Sequence, residues 1–286
     1  MTITPNKIPP QHQDRHPGLE SQMQPKPQYD NPNYKGSGKL RDKVALITGG
    51  DSGIGRSIAV LYAKEEADVA ISYLNEHEDA EETKRLVEEQ GRKCLLIPGD
   101  ISSEKFCREV IQKTIDEFSK LDILINNASE QFYEESIEDV DAERLGRVFS
   151  SNIFSMFYLT KFAVPYLKEG STIVNNTSIT AYKGNSSLLS YSSTKGAILA
   201  FTRSLSQSLV GKGIRVNAVA PGPIWTPIIP ESFPPDDVSS FGKQVPMQRP
   251  GQPYEVATCF VFLASEDSSY MTGQVLHPNG GKLVGS

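Results

Sequence analysis

Cysteine is scarce in this sequence: three residues (Cys94, Cys107 and Cys259) among 286. They are odd in number and widely spaced, form no CxxC pair and have no histidine cluster beside them. Such usage argues against a disulfide framework and offers no metal-ligand spacing, so free thiols in a reducing compartment and no bound metal are expected. Basic charge is lacking too, with a formal net charge of −6 and no dense Lys/Arg run. Nucleic acids and anionic membranes reward a basic surface, so neither is an expected partner. No apolar run approaches the roughly 18 residues of a membrane span. The opening residues, TITPNKIPPQHQ, also lack the basic-then-apolar pattern of a secretory signal. A cytoplasmic globular protein is expected, and its length suits one large α/β domain.

Hydrophobic periodicity is missing from residues 1–38, where Pro9, Pro10, Pro25, Pro27, Pro32, Gly36 and Gly38 crowd together. A segment of this kind cannot fold alone. It is either a disordered tail or an extended arm lying on its own domain or a neighbouring subunit, with Tyr29 and Tyr34 as anchors. The folded domain is expected over 39–286.

From Lys43 onward, short apolar runs alternate with amphipathic stretches. Strands are predicted at 44–47, 69–71, 95–97, 121–125, 171–176, 214–219 and 275–276. Helices are predicted at 54–64, 77–90, 103–118, 139–168 (kinked near Pro165), 189–210 and 254–264. Continuous apolar strands separated by helices specify a parallel sheet covered on both faces. With right-handed crossovers this is a doubly wound, Rossmann-type sheet of seven strands, which binds ligands at the carboxyl ends of its strands.

The first strand runs into Thr48-Gly49-Gly50-Asp51-Ser52-Gly53-Ile54-Gly55, where a helix begins. Glycines permit the tight turn and let the backbone approach a pyrophosphate, and the helix N-terminus offers free N–H groups to it. The same residues nearly match a nucleotide-triphosphate loop, but Arg56 stands where that loop needs lysine. Phosphoryl transfer is therefore a minor alternative.

Tyr191 and Lys195 occupy i and i+4 of a predicted helix, a pair that chance alone would produce about once in a chain of this size. Their setting gives them meaning. A tyrosine titrates near pH 10 and needs a neighbouring cation to act as a base at neutral pH, which Lys195 could supply. Ser178, at the end of the fifth strand, could donate a hydrogen bond to a reacting oxygen. Asn152, mid-way along a long helix, could tie down a local distortion or a water, or be an ordinary exposed residue.

Over residues 42–281 the chain resembles the short-chain dehydrogenase/reductase family, in its single-domain branch. The matching residues are Thr48, Gly49, Gly53, Ile54 and Gly55; Asp100; Asn126-Asn127-Ala128; Asn152; Ser178; Tyr191 with Lys195; and Pro221-Gly222. The loop 49–53, the stretch 221–226 and the Pro/Gln-rich arm resemble bacterial glucose- or ribitol-dehydrogenase-like members. The resemblance implies that Tyr191 is the general acid/base and that Lys195 lowers its pKa while binding the nicotinamide ribose. Ser178 would orient the reacting oxygen, and Asn152 would hold a relay water. It also implies a cofactor site of Gly49, Asp51, Ser52, Gly53, Ile54, Gly55, Tyr73, Leu74, Asp100, Ile101, Asn127, Ala128, Pro221, Gly222, Ile224 and Thr226, together with Tyr191 and Lys195. A homotetramer is expected on the same ground. One departure stands out: Ser129 replaces the glycine that usually follows Asn-Asn-Ala, read as a tolerated change rather than an altered substrate contact.

Cofactor choice is read at the end of the second strand, Ser72-Tyr73-Leu74-Asn75-Glu76. No Arg or Lys there is placed for a 2′-phosphate, Asp51 adds negative charge, and Asn75 or Glu76 could meet a ribose hydroxyl. NAD is therefore expected over NADP. The segment 223–250, carrying Trp225, Ile228, Ile229, Phe233, Phe241 and Met247, is expected to cover the site as an apolar lid, although half of these side chains could serve packing instead. The expected activity is hydride transfer at the carbonyl/alcohol carbon of a sugar, polyol or small ketone or aldehyde. A catalytically silent NAD(P)-sensing or scaffold protein is the alternative, and it predicts an eroded catalytic set.

Overall fold

In the computed structural model, residues 8–284 are described. Strands β1 (Val44–Thr48), β2 (Asp68–Tyr73), β3 (Cys94–Pro98), β4 (Ile123–Asn126), β5 (Thr172–Asn176), β6 (Arg215–Val219) and β7 (Val275–Leu276) form one parallel sheet in the order β3-β2-β1-β4-β5-β6-β7. Every residue of β1, β4 and β5 is buried, as runs covered on both faces require. The order reverses beside β1, so β1 and β4 splay their following loops apart and open a crevice at their carboxyl ends.

Helices α1 (Gly53–Lys64), α2 (His77–Glu88) and α10 (Pro253–Ala264) lie on one face, and α3 (Glu104–Phe118), α4 (Ala142–Phe149), α5 (Ser155–Ala163) and α7 (Leu189–Leu209) on the other. Short helices α6 (Thr180–Lys183), α8 (Ile228–Ser232) and α9 (Pro235–Ser240) fall in loops at the crevice. The two main apolar cores reflect this layering: Ile47, Ile58, Tyr62, Val256 and Phe260 pack on one side, and Leu46, Val110, Leu159 and Val216 on the other.

The helix predicted over 139–168 is not continuous. It winds as α4, passes through a π-helical turn at Ser150–Phe154, resumes as α5 and stops at Ala163. Pro165 follows the end of the helix rather than kinking it: Val164 keeps helical angles and bonds the Thr160 carbonyl, and proline, lacking an N–H, cannot continue the ladder. The loop expected over 223–250 likewise contains α8 and α9, and α9 carries proline in its first turn.

Residues 8–38 lie against the domain. Met23 is 1% exposed, in a small core with Trp225, Ile229 and Val238. Tyr34 packs on the main core and its hydroxyl bonds Glu65, whereas Tyr29 contributes through its carbonyl, which accepts from Ser57 Oγ at 2.6 Å. Among the described residues no helix is long and apolar enough to cross a membrane.

Candidate active site

The glycine turn is shaped by its surroundings. Gly49 and Gly53 adopt φ of 61° and 51°, in the left-handed region that favours glycine. A Cβ at Gly55 would stand 1.8 Å from the carbonyl oxygen of Gly49, so helix α1 can start this close to β1 only with glycine there. Thr48 Oγ1 accepts the N–H groups of Asn127 (2.9 Å) and Ala128 (3.0 Å), and Asn127 Nδ2 donates to the carbonyls of Thr48 and Gly49. The ladder continues: Asn176 donates to Asn127 Oδ1, and Asn126 donates to Asn175 Oδ1, each at 2.8 Å. The Asn126-Asn127 pair thus welds the glycine turn to β4 and β5, and Asn175 and Asn176 are partners that the sequence reading overlooked.

Two cavities meet at this turn. The first is a groove open to solvent, spanning about 1030 Å³, lined by Gly49, Asp51, Ser52, Gly53, Ile54, Tyr73, Leu74, Asp100, Ile101, Asn127, Ala128, Tyr191, Lys195 and Thr226. The second is lined by Ser178, Pro221, Gly222, Ile224, Ile229, Phe233 and Phe241. They share Ile54, Asn176, Tyr191, Thr226 and Ile228, so Tyr191 stands at their junction. The structure therefore places Pro221, Gly222 and Ile224 on the second cavity rather than on the long groove, and Gly55 beneath the turn. The groove fits a dinucleotide: glycines leave its floor clear, the N-terminus of α1 opens on it, and polar side chains sit at both ends.

Tyr191 is half-buried on the first turn of α7, and Lys195 is 1% exposed one turn on. Lys195 Nζ donates to the carbonyl of Asn176 at 2.9 Å and lies 5.1 Å from the Tyr191 ring centre. Burial pushes the tyrosine up to about 12, opposed by its hydrogen bond with Ser178. Burial also brings the lysine down to about 7. Ser178 is thus one neighbour that opposes the effect of burial on Tyr191. Near neutral pH this tyrosine holds its proton, while the lysine is poised to gain or lose one.

Asn152 is fully buried in the π-helical turn and does not line either cavity. Its Oδ1 accepts the N–H of Glu130 at 2.7 Å, and its Nδ2 donates to the Glu130 carbonyl at 2.8 Å and to Thr194 Oγ1 at 3.1 Å. It holds the loop after β4 against α7, one residue before Lys195. Glu134 performs a related task, accepting the N–H of Ser190 at 3.0 Å beside Tyr191. Arg147 bridges the Asp100 and Glu130 carboxylates, and holds Asp100 below its usual range against the opposing effect of burial. Ser129 lines the groove, and its buried hydroxyl has no partner among the described residues.

At the far end of the groove Asp51 is buried and pushed up to about 7, first by desolvation and then by Glu76. Glu76 is buried on the same wall, whereas Asn75 is exposed and off the lining. Arg56 does not face the groove. Its guanidinium donates to the carbonyls of Asp51 and Asp79, to Thr83 and to Glu20. A side chain held in this way is not free to reach a nucleotide's phosphates, which removes the phosphotransferase reading. Trp225 faces the arm, its Nε1 donating to the Pro25 carbonyl at 2.7 Å, and Met247 is exposed. Part of the expected lid therefore packs, while Ile228, Ile229, Phe233 and Phe241 line the second cavity.

A family model described as "Enoyl-(Acyl carrier protein) reductase" matches residues 49–282, starting beyond the arm. General stress protein 39 of Bacillus subtilis (strain 168) is 60% identical over 284 residues, covering 99% of each chain. Glucose and ribitol dehydrogenase of Daucus carota is 52% identical over 284 residues, covering 97% of this chain and 98% of its own. NADPH-dependent aldehyde reductase 1, chloroplastic, of Arabidopsis thaliana is 52% identical over 281 residues, covering 96% and 98%. A short-chain dehydrogenase from Burkholderia cenocepacia J2315, solved in complex with NADP, superposes with a TM-score of 0.80 at 28% identity, covering 85% of this chain and 98% of its own. A Rossmann-type sheet, a glycine turn at its switch point and these relatives together identify the chain as a member of the short-chain dehydrogenase/reductase family, an NAD(P)-dependent oxidoreductase of alcohol or carbonyl carbons.

Proposed function

We propose that the protein interconverts the alcohol and carbonyl forms of a sugar, polyol or small aldehyde or ketone, with Tyr191 moving the proton. The observation that carries this reading is the convergence of Tyr191, Ser178 and buried Lys195 where the long groove meets the second cavity. A bound nicotinamide dinucleotide supplies or accepts the hydride. In the reducing direction the Tyr191 hydroxyl, protonated near neutral pH, gives its proton to the developing alkoxide, and Ser178 donates a hydrogen bond to that oxygen. In the oxidising direction the Lys195 cation stabilises the tyrosinate. Asn152 holds the loop and helix that carry these groups, and the apolar lid excludes water. Because all four residues are in place, catalysis is favoured over a silent sensor.

Asp51 and Glu76, two buried carboxylates on the wall of the groove, support NAD(H), since a 2′-phosphate would add charge beside them. A second reading, NADP(H), is favoured by Arg15, which the arm brings to Asn75 and Glu76, and by the relative named as NADPH-dependent. Titration with NADH and NADPH decides: tighter NADPH binding would sink the first. A homotetramer is supported by an aromatic face of the π-helical turn, α5 and α7, where Phe154 and Phe157 are about half exposed and Phe157 packs on Phe201 with ring centres 4.2 Å apart; light scattering tests it. Three free cysteines support a cytoplasmic setting. Activity is tested by following reduced-nicotinamide absorbance over a panel of alcohols, sugars and small carbonyls, and the absence of turnover on every member would favour the sensor.

A further inference from the structure

The N-terminal arm touches three rims of the dinucleotide groove within a few residues. At the lid, Gln13 N–H donates to the Pro230 carbonyl at 2.9 Å, and the N–H of Gly18 donates to the Glu231 carboxylate, with His16 Nδ1 3.6 Å from the same group. At the glycine turn, Glu20 accepts the N–H of Gly53 at 2.6 Å and pairs with Arg56. At the end of β2, Arg15 bonds Asn75 and Glu76, and Glu20 N–H donates to Asp79 at 2.8 Å.

One residue, Leu19, separates the bond that Gly18 makes to the lid from the one that Glu20 makes to the glycine turn. The chain therefore crosses from one rim to the other, a reach of about 7 Å for two extended residues. Pro17 and Gly18, at the lid end of this crossing, line the groove themselves. The crossing is close-packed as well as hydrogen-bonded. A Cβ at Gly18 would stand 2.9 Å from the Pro227 carbonyl oxygen and 3.0 Å from Glu231 Oε2. Met23 and Glu20, 1% and 3% exposed, fix the segment beyond it.

We propose that residues 13–25 form a roof over the dinucleotide groove, with Pro17 and Gly18 as cofactor-contacting residues, and that the roof must lift for the dinucleotide to exchange. This rests on the groove being the dinucleotide site. Without the arm the groove is a trough between two loops; with it, the middle of the trough becomes a covered passage. Exchange then requires breaking the Gly18–Glu231 and Glu20–Gly53 contacts together, so the arm leaves both rims at once.

The test is stopped-flow release of NADH, or of NADPH if that binds more tightly, chased with excess oxidised dinucleotide, using the full-length protein. Gly18→Val drives a side chain into the Pro227 carbonyl, and a Gln13→Ala/His16→Ala double variant removes the side chain that braces Leu19 within the arm and the one that faces Glu231 on the lid. Each is expected to release the dinucleotide at least tenfold faster than the parent. Release within twofold of the parent in either folded variant overturns the roof. If the variants fail to fold, hydrogen exchange of the parent serves: amides of residues 13–25 should exchange at least tenfold more slowly with saturating NADH, and unchanged exchange overturns the proposal. A parent that binds neither dinucleotide overturns the cofactor reading of the groove itself, and the roof with it.

Discussion

Replacing Asp51 by asparagine should stabilise the protein at alkaline pH and, on the NAD(H) proposal, shift its binding towards the 2′-phosphate-bearing dinucleotide. The Asp51 carboxyl is 6% exposed, and its pKa is raised from the ordinary 3.8 to about 7, chiefly by desolvation and further by the charge of Glu76. Each tenfold change in proton affinity is worth about 1.4 kcal/mol, so its ionised form costs the folded state about 4 kcal/mol at most. Between pH 3.8 and 7 the folded protein holds a proton that the unfolded chain has released, so this group lowers stability as pH rises through that window. The cost is absent below the window and complete above it. Asparagine has no proton to lose. Urea denaturation across a pH series should therefore show little gain for Asp51→Asn at pH 4 and a gain approaching ~4 kcal/mol at pH 8. At pH 8, where Asp51 is ionised, the ratio of NADPH to NADH dissociation constants should fall at least tenfold in the same variant, about 1.4 kcal/mol of relieved repulsion. A stability gain that does not change with pH would refute the reasoning about burial. An unchanged ratio would refute the claim that Asp51 faces the adenosine end of the dinucleotide.

Tyr191→Phe keeps the ring beside Lys195 and removes only the hydroxyl, so kcat should drop by about 10²–10⁴ with little change in thermal stability; undiminished turnover would exclude tyrosine as the proton carrier. Asn152→Ala leaves the N–H and carbonyl of Glu130 without their partner in a buried site. It should lose about 2–6 kcal/mol of stability, at roughly 1–3 kcal/mol for each orphaned group, and a loss below 1 kcal/mol in urea would mean that the loop is held by something else. Met23→Ala removes an almost fully buried side chain from the contact with Trp225 and should cost about 2–5 kcal/mol; a change under 0.5 kcal/mol would show that the arm is not part of the cooperative fold. Lys195, lowered to about 7 by burial, is neutral in the folded state and charged in the unfolded state between there and its usual 10.5. Its contribution makes the protein without cofactor more stable as pH rises through that window, and Lys195→Met should abolish this slope in the urea series.

The fold was legible because its signals are local. Four apolar residues in a row at 44–47, a glycine turn and an amphipathic stretch fix a buried strand, a tight turn and a helix without reference to anything distant. Tyr191 and Lys195 were legible for a similar reason, since four residues on a helix bring two side chains to one face. Asn152 gave half its story: its position suggested a distortion, and the π-helical turn that it anchors depends on Glu130 and Thr194, 22 and 42 residues away. What tertiary structure alone decided is which charges meet. Arg147 reaches Asp100 and Glu130 across loops, Arg56 is drawn into a buried acidic cluster, and Arg15 arrives from a segment with no periodicity at all. Nothing in the composition of residues 8–38 marks Glu20 as the acceptor for the glycine turn or Gly18 as the lining of a cofactor groove. Side-chain chemistry within one turn of helix or strand is written in the sequence, but an ion pair or a roof depends on which distant surfaces the packing of the sheet brings within hydrogen-bond reach.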